Sequence, residues 1–330
     1  MNMKKSSWLF MLTLIISTMV TLSSNNWISM WIGLELNMMS FIPLIVNKIN
    51  KSSSEAAMIY FLIQSVSSML LIMMVMLLMC KYMTNINNIL MMINISLLIK
   101  LGAAPFHMWL PEIMSKMEWS KCIILMTWQK IAPLFMMSNL NSSSIINLSI
   151  IWSVGIGSLG GINQSSLRKM MGYSSINHLG WMLAINKSMN LWIMYLMIYS
   201  LMVLLMCMMF MNYKMYFINQ ISSLSMNNTE KTSMFIMMLS MGGLPPFIGF
   251  LPKWITIQSM LNNKEIIMIL FMIMCSLITL MYYLRIMMNM CLSYNSSIKW
   301  SITYNEIKPL MFFTMMINLS LPLIMILEVF

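Results

Sequence analysis

Six ionisable side chains stand inside long apolar stretches of this sequence: Glu35, Lys100, His107, Lys130, His178 and Lys253. A charge at the centre of a bilayer costs about 2.5–3.5 kcal/mol even on lenient insertion scales, so each of them asks for an explanation. Desolvation disfavours a charged lysine and a neighbouring carboxylate favours it, so a buried lysine can be switched by moving a glutamate partner. Histidine titrates near neutrality without help. Lysines and histidines bridged by water, with one glutamate among them, can therefore pass protons. Blander roles exist for some: Glu35 with one lysine could be a structural ion pair, His178 a satisfied core histidine, His107 a cap on freed backbone groups. Three lysines against one carboxylate leave charge unbalanced, which a purely structural role explains poorly.

The elements that must hold these residues are membrane helices. Of 330 residues 60% are hydrophobic and 8% charged, with mean hydropathy +0.81, against about 25% charged in soluble domains. A spanning helix needs about 20 largely apolar residues. Eleven segments qualify, near 7–24, 27–46, 56–80, 88–111, 119–137, 145–163, 166–186, 190–212, 232–262, 266–289 and 309–329, the ninth long and interrupted. Short loops leave no room for a soluble domain, so the chain reads as one all-α, polytopic transmembrane domain over 1–330. Repeat one covers about 7–137 and repeat two about 145–289, with a C-terminal helix at about 309–329. Glu35, Lys100, Lys130 and His178 lie near the midpoints of their segments and hence at similar depth.

Loop charge gives orientation. With eleven spans, Lys4, Lys5, Lys48, Lys51, Lys116, Lys121, Arg168, Lys169, Lys214, Lys231, Lys299 and Lys308 fall on the N-terminal side; Lys81, Lys187 and Lys264 fall on the other. That positive-inside bias puts the N-terminus on the cytoplasmic or matrix side and the C-terminus opposite. The net charge of +11 is spread singly along short loops rather than gathered on one face, which argues against nucleic acid as a partner. Cys80, Cys122, Cys207, Cys275 and Cys291 have no metal-ligand spacing, and two histidines alone make no typical metal site. No nucleotide-binding or nucleophile motif is present. Fifty-one methionines, with abundant Ile, Asn, Ser and Lys, suit the A/T-rich codons of an organellar gene. The opening Met1–Lys5 and its apolar run lack a small-residue cleavage site and read as the first span. Glu55, Glu112, Glu118, Glu230, Glu265 and Glu306 fall in loops or at helix ends, where solvation is the default. Gly155, Gly157, Gly160 and Gly161 suit close helix packing. Trp128, Trp181 and Trp254 suit interface anchoring or packing.

An internal repeat is visible. Gly102-Ala103-Ala104-Pro105-Phe106-His107-Met108-Trp109-Leu110-Pro111 and Gly243-Leu244-Pro245-Pro246-Phe247-Ile248-Gly249-Phe250-Leu251-Pro252 share G-x-x-P-F-x-x-(aromatic)-L-P without a gap, 141 residues apart. They fall in the fourth and ninth segments, so the second copy runs the opposite way through the membrane. Inverted repeats with broken helices are a transporter signature. Backbone freed by proline at membrane depth must face protein or water, so Gly102, Pro105, Pro111, Gly243, Pro245, Pro246 and Pro252 mark breaks that line a polar path.

In their local wording these residues resemble the antiporter-like membrane-arm subunits of mitochondrial respiratory complex I, NADH–ubiquinone oxidoreductase, in their insect form. Glu35 lies in Trp31-Ile32-Gly33-Leu34-Glu35-Leu36-Asn37, Lys100 opens Lys100-Leu101-Gly102-Ala103-Ala104-Pro105-Phe106-His107, and Lys130 lies in Thr127-Trp128-Gln129-Lys130-Ile131-Ala132-Pro133. His178 lies in Ser174-Ser175-Ile176-Asn177-His178-Leu179-Gly180-Trp181, and Lys253 closes the second repeat before Trp254. The likeness runs from about residue 25 to 290. It implies a multi-pass subunit of the inner mitochondrial membrane, N-terminus in the matrix and C-terminus in the intermembrane space. Proton translocation would be driven by NADH-to-ubiquinone electron transfer in other subunits. Glu35 with Lys100 would be the switching pair, Lys130 the central relay and Lys253 the outlet, with His107 and His178 shaping a hydrated path. This chain would bind no cofactor; flavin, iron–sulfur clusters and ubiquinone would belong to other subunits. Its partners would be other membrane-arm subunits, including neighbouring antiporter-like ones, and membrane lipids. Set against the bacterial pattern, the resemblance implies a form without three N-terminal helices, as in animal versions, which would leave a face for another subunit. The offset of 141 pairs Lys253 with Glu112, so the two halves are not chemically equivalent. A stand-alone cation/proton antiporter shares the lysines and breaks, and a non-conducting structural or assembly subunit is a third reading; motif wording, chain length and composition favour the first.

Overall fold

A computed structural model describes residues 5–46, 50–80, 86–140, 143–222, 227–292 and 308–322. Lys4, Lys48, Lys81, Lys299, Glu306 and the end of the 309–329 segment lie outside the described residues, as do the side chains of Lys5, Cys291 and Lys308. The described chain is helical, with one isolated bridge, Ser166 to Phe217. Among the described residues five helices are long and apolar enough to cross a membrane: Trp27–Ile45, Lys51–Met79, Ser144–Ile162, Met189–Asn212 and Ile266–Met290. The chain divides into two compact units, Met1–Ser153 with Asn186–Met189, and Val154–Ile185 with Asn190–Phe330.

The first unit holds α1 (Lys5–Ser23), α2 (Trp27–Ile45), α3 (Lys51–Met79), α4 (Ile86–Leu101), α5 (Trp109–Lys116), α6 (Trp119–Met126), a 3₁₀ turn (Trp128–Lys130), α7 (Ile131–Ser138) and the start of α8 (Ser143–Ile162). α2 packs on α1 and α3, and α3 on α4 and α5. The polarity of α3 is reversed relative to a soluble helix. Met58, Leu62, Val66, Met69, Met73 and Met76 form an exposed stripe, while Tyr60, Gln64, Ser67 and Ser68 face inward. Lipid accepts the apolar stripe, and the buried serines return their hydroxyls to the carbonyls three residues back.

The second unit holds the rest of α8, α9 (Leu167–Ala184), α10 (Met189–Asn212, all but its first residue), α11 (Ile218–Ser222), α12 (Asn228–Gly242), α13 (Phe250–Asn262), α14 (Ile266–Leu292) and α15 (Lys308–Asn318). α14 packs on α11, α12 and α13, and α15 on α12. The α8 glycines let neighbours come close. A Cβ on Gly157 would stand 2.6 Å from the Asn177 nitrogen, and on Gly161 2.7 Å from the Tyr282 ring. Arg285 of α14 donates to the Ile162 and Gln164 carbonyls, closing the end of α8.

The candidate segments at 88–111 and 232–262 are not continuous helices. Each ends in the same backbone closure. Gly102 (φ 70) and Gly243 (φ 75) take the left-handed region. The Gly102 and Gly243 N–H groups bond to Ile99 and Ser240, and the next N–H groups, of Ala103 and Leu244, reach back to Leu98 and Leu239. This is a Schellman motif, which uses glycine because a Cβ is disfavoured at positive φ. The chain restarts as helix at Trp109 and Phe250, and Pro111 and Pro252 fall in those first turns, where a missing N–H costs nothing.

The 119–137 segment is also interrupted, between α6 and α7, and its interruption holds Lys130. Pro133 has no N–H to offer the Gln129 carbonyl, and the turn before it tightens to 3₁₀. Glu230, expected to be solvated, is instead 4% exposed. Its carboxylate accepts from the Asn227 N–H in a capping box at the start of α12.

Candidate functional site

In the first unit a cavity of about 20 Å³ lies against α2, α3, α4, α5 and the α6–α7 break. Asn37, Tyr60, Gln64, Lys100, Gln129 and Lys130 supply its polar lining, and Leu34, Trp109 and Pro133 are among its apolar walls. A water needs roughly 10–15 Å³ by this kind of measure, so the space suits water and not an organic substrate. Both lysines are buried, Lys130 at 2% exposure and Lys100 at 7%.

Local structure explains why they point here. α4 stops one residue after Lys100, which leaves its last-turn carbonyls without helical partners. Gln64 of α3 donates to the Lys100 carbonyl at 3.2 Å. Lys130 is delivered by the 3₁₀ turn, together with Gln129. The Gln129 amide donates to Asn37 Oδ1 at 3.1 Å and accepts from the Tyr60 hydroxyl at 3.3 Å. α2, α3 and the broken sixth–seventh helix pair are thus tied together beside the two lysines. Glu35 stands at the edge of the buried face of α2, half-buried, near enough for its charge to act on Lys100. His107 is buried within the first break, and its Nδ1 donates to the Pro105 carbonyl at 3.2 Å. That contact ties the imidazole to a backbone carbonyl of the break.

In the second unit Lys253 is 4% exposed. Its ammonium donates to the Gly242 carbonyl at 2.6 Å and lies 5.8 Å from the centre of the Trp181 ring. The end of a helix carries partial negative charge, so the broken α12 supplies part of the compensation that a carboxylate would give elsewhere. One turn before Trp181 on α9, His178 meets α10. Its Nδ1 lies 2.8 Å from the Tyr195 hydroxyl, and the Tyr199 ring centre is 4.8 Å from its own. Tyr199 neighbours Ser175 and Tyr283, and Tyr283 neighbours Ser174 and Tyr282.

The structure therefore brings Lys100, Lys130 and Glu35 together in one unit, and in the other sets Lys253 of α13 over Trp181, one turn along α9 from His178. Sequence reasoning passed over Asn37, Tyr60, Gln64, Gln129 and Tyr195. An amide or phenol in the middle of an apolar span is the signal that would have found them, since polar side chains there act as interhelical glue. Among the described residues no three His, Cys, Asp or Glu side chains gather as a metal ion would require. Cys122, Cys207 and Cys275 are buried.

The family described as NADH:quinone oxidoreductase/Mrp antiporter, transmembrane, matches residues 24–279. NADH-ubiquinone oxidoreductase chain 2 of Anopheles gambiae is 46% identical over 294 residues, covering 86% of each chain. The protein of the same name from Locusta migratoria is 42% identical over 307 residues, covering 91% of this chain and 90% of its own. Among solved structures, a chain of respiratory complex I from Thermus thermophilus with bound aureothin superposes with TM-score 0.84 at 18% identity, over 98% of this chain and 78% of that one. At that identity the likeness is one of fold.

Proposed function

Because the chain belongs to the NADH:quinone oxidoreductase/Mrp antiporter transmembrane family, we propose that it is a membrane-arm subunit of mitochondrial respiratory complex I. In this reading it carries protons across the inner membrane while NADH oxidation and ubiquinone reduction proceed on other subunits. The observation that carries the reading is the pairing of Lys100 and Lys130 on one buried cavity with room for water, with the Glu35 charge reaching Lys100. A lysine that can be charged or neutral, a movable carboxylate and a water between two lysines are the parts of a proton switch.

In this mechanism Glu35 and Lys100 are the switching pair. Approach of the carboxylate favours the Lys100 ammonium; its withdrawal releases a proton into the cavity water and on to Lys130. Lys253 is the outlet, held at the open end of α12. His107 and His178 shape the hydrated path. The proton is the only species these groups move, and the flavin, iron–sulfur clusters and ubiquinone belong to partner subunits. Moving one charge against 100 mV costs about 2.3 kcal/mol, so the driving force comes from those partners.

The same reading includes eleven spans in one domain, with two inverted five-helix repeats and a C-terminal helix, the N-terminus in the matrix. The lysine bias of the loops supports the orientation, and the identical closures at Gly102 and Gly243 support the repeat.

Lys130→Met tests the core of it. The variant should assemble into the complex, located by mass spectrometry in the native-gel band that stains for NADH dehydrogenase, and lose proton pumping. Normal pumping at normal assembly would refute the relay. A chain that migrates alone, away from the activity, would favour a separate antiporter.

A further inference from the structure

We propose that Tyr195 is a positioning residue for proton transfer through His178, the partner that satisfies the imidazole in both of its protonation states. The inference rests on the relay reading above and adds to it a residue and a device. The His178 Nδ1 and the Tyr195 hydroxyl oxygen are 2.8 Å apart, with Tyr195 1% and His178 7% exposed. Tyr195 and Tyr199 are one turn apart on the buried stripe of α10, so the imidazole meets two phenol rings, at 6.0 and 4.8 Å between ring centres.

The choice of partner decides what a buried histidine can do. A backbone carbonyl only accepts, which fixes an N–H on the nitrogen it faces. A carboxylate holds the ring as imidazolium. A phenol both donates and accepts. With neutral His178 the Tyr195 hydroxyl donates to Nδ1, which puts the ring hydrogen on Nε2. When the ring takes a proton from water, Nδ1–H donates to the tyrosine oxygen and the hydroxyl hydrogen rotates aside. Release returns that proton to water. Tyr195 remains a phenol throughout; one N–H bond forms and later breaks, and no other bond changes. Neither state leaves Nδ1 unpaired in the low-dielectric interior, where an orphaned polar group is costly. The Tyr199 ring adds a face that favours the cation.

The groups around the pair fit this use. Tyr283 and Cys207 reach Tyr199, and Tyr282 adjoins Tyr283. Lys253 of α13 lies over Trp181, one turn along α9.

The test is Tyr195→Phe in the intact complex, reconstituted into liposomes, with NADH-driven proton uptake measured from acid to alkaline pH. The ring and its packing are kept and only the hydroxyl is lost. Pumping should fall by roughly tenfold or more, short of the roughly 10²–10⁴-fold that positioned proton transfer typically contributes, because His178 itself is kept. The pH optimum should move to the acid side, because the imidazolium has lost its acceptor and charge-assisted bonds are the stronger ones. In a His178→Gln background the same change should add nothing further. An unchanged rate and pH profile would overturn the proposal. So would failure of Tyr195→Phe to assemble on native gels, since the hydroxyl would then be a folding element. Lys130→Met, run in parallel, separates the two levels. If it pumps normally, the relay reading itself fails. If it is silent while Tyr195→Phe pumps normally, only the tyrosine proposal fails.

Discussion

The Lys253 ammonium and the Gly242 carbonyl are 2.6 Å apart, so a side chain three residues into α13 closes the open end of α12. The next residue, Gly243, leaves the space for it. A Cβ there would stand 2.6 Å from the Lys253 Nζ, and φ is 75°. Gly243→Ala should cost about 1–2 kcal/mol for the left-handed backbone alone and also unseat the lysine. The expected result is less assembled complex on native gels and, in what assembles, weaker pumping per NADH oxidised. Gly102→Ala meets Leu110 and Trp109 instead, at 3.0 Å, and should lower assembly without a comparable loss of pumping per complex. Equal pumping losses in both variants would show that the lysine seat is not what the glycine protects.

Gln129 separates structure from charge at the first cavity. Gln129→Leu leaves the Asn37 carbonyl oxygen without its donor, at about 1–3 kcal/mol for a buried orphan, so the yield of complex should drop. Gln129→Glu keeps the size but puts a carboxylate beside Lys130. The carboxylate still accepts from the Tyr60 hydroxyl and, once the Asn37 amide turns over, from its nitrogen, so this variant should assemble better than the leucine one and pump worse, because the lysine is then held as an ammonium. Pumping in the glutamate variant equal to the natural chain would argue that Lys130 does not change charge.

Arg285 holds two carbonyls, of Ile162 and Gln164, at once. Two diverging acceptors suit a planar guanidinium and not a single ammonium. Arg285→Lys should therefore recover only part of the stability lost in Arg285→Ala, read as the melting temperature of the purified complex. Full recovery by lysine would mean that charge alone is needed at the end of α8.

The glycines of α8 should differ in tolerance. Gly157→Ala drives its Cβ into the Asn177 backbone, next to His178, whereas a Cβ at Gly155 meets only the Phe271 ring at an ordinary 3.5 Å. Overpacking costs typically 1–3 kcal/mol. Gly157→Ala should destabilise the complex and alter pumping, and Gly155→Ala should do neither. Similar effects of the two would contradict the close α8–α9 approach.

The helical class, the ionisable residues and both glycine–proline breaks were legible because membrane burial makes each conspicuous in an apolar sequence. Period and hydropathy alone mark where Lys100 and Lys253 lie. What they miss is pairing. Gln129 acquires its role from Asn37, 92 residues away, and Tyr60, 69 away, and no local pattern encodes such contacts. The interruption at Lys130 was legible in principle, from Pro133 three residues on, but a single proline is compatible with a plain kink. Glu230 departs from the pattern because an acid at a helix start is usually wet, and here its buried carboxylate is bound by the Asn227 N–H in a capping box.

The narrowness of the cavity between Lys100 and Lys130 bears on pharmacology. Drug-sized ligands occupy pockets of several hundred Å³, far more than the roughly 20 Å³ here. A compound that silences this chain will not do so by plugging that space. A compound that acts at this cavity must be a wedge, prising α2 from α3 and the Thr127–Lys130 turn, or a clamp on the outer surface that stops those helices from moving.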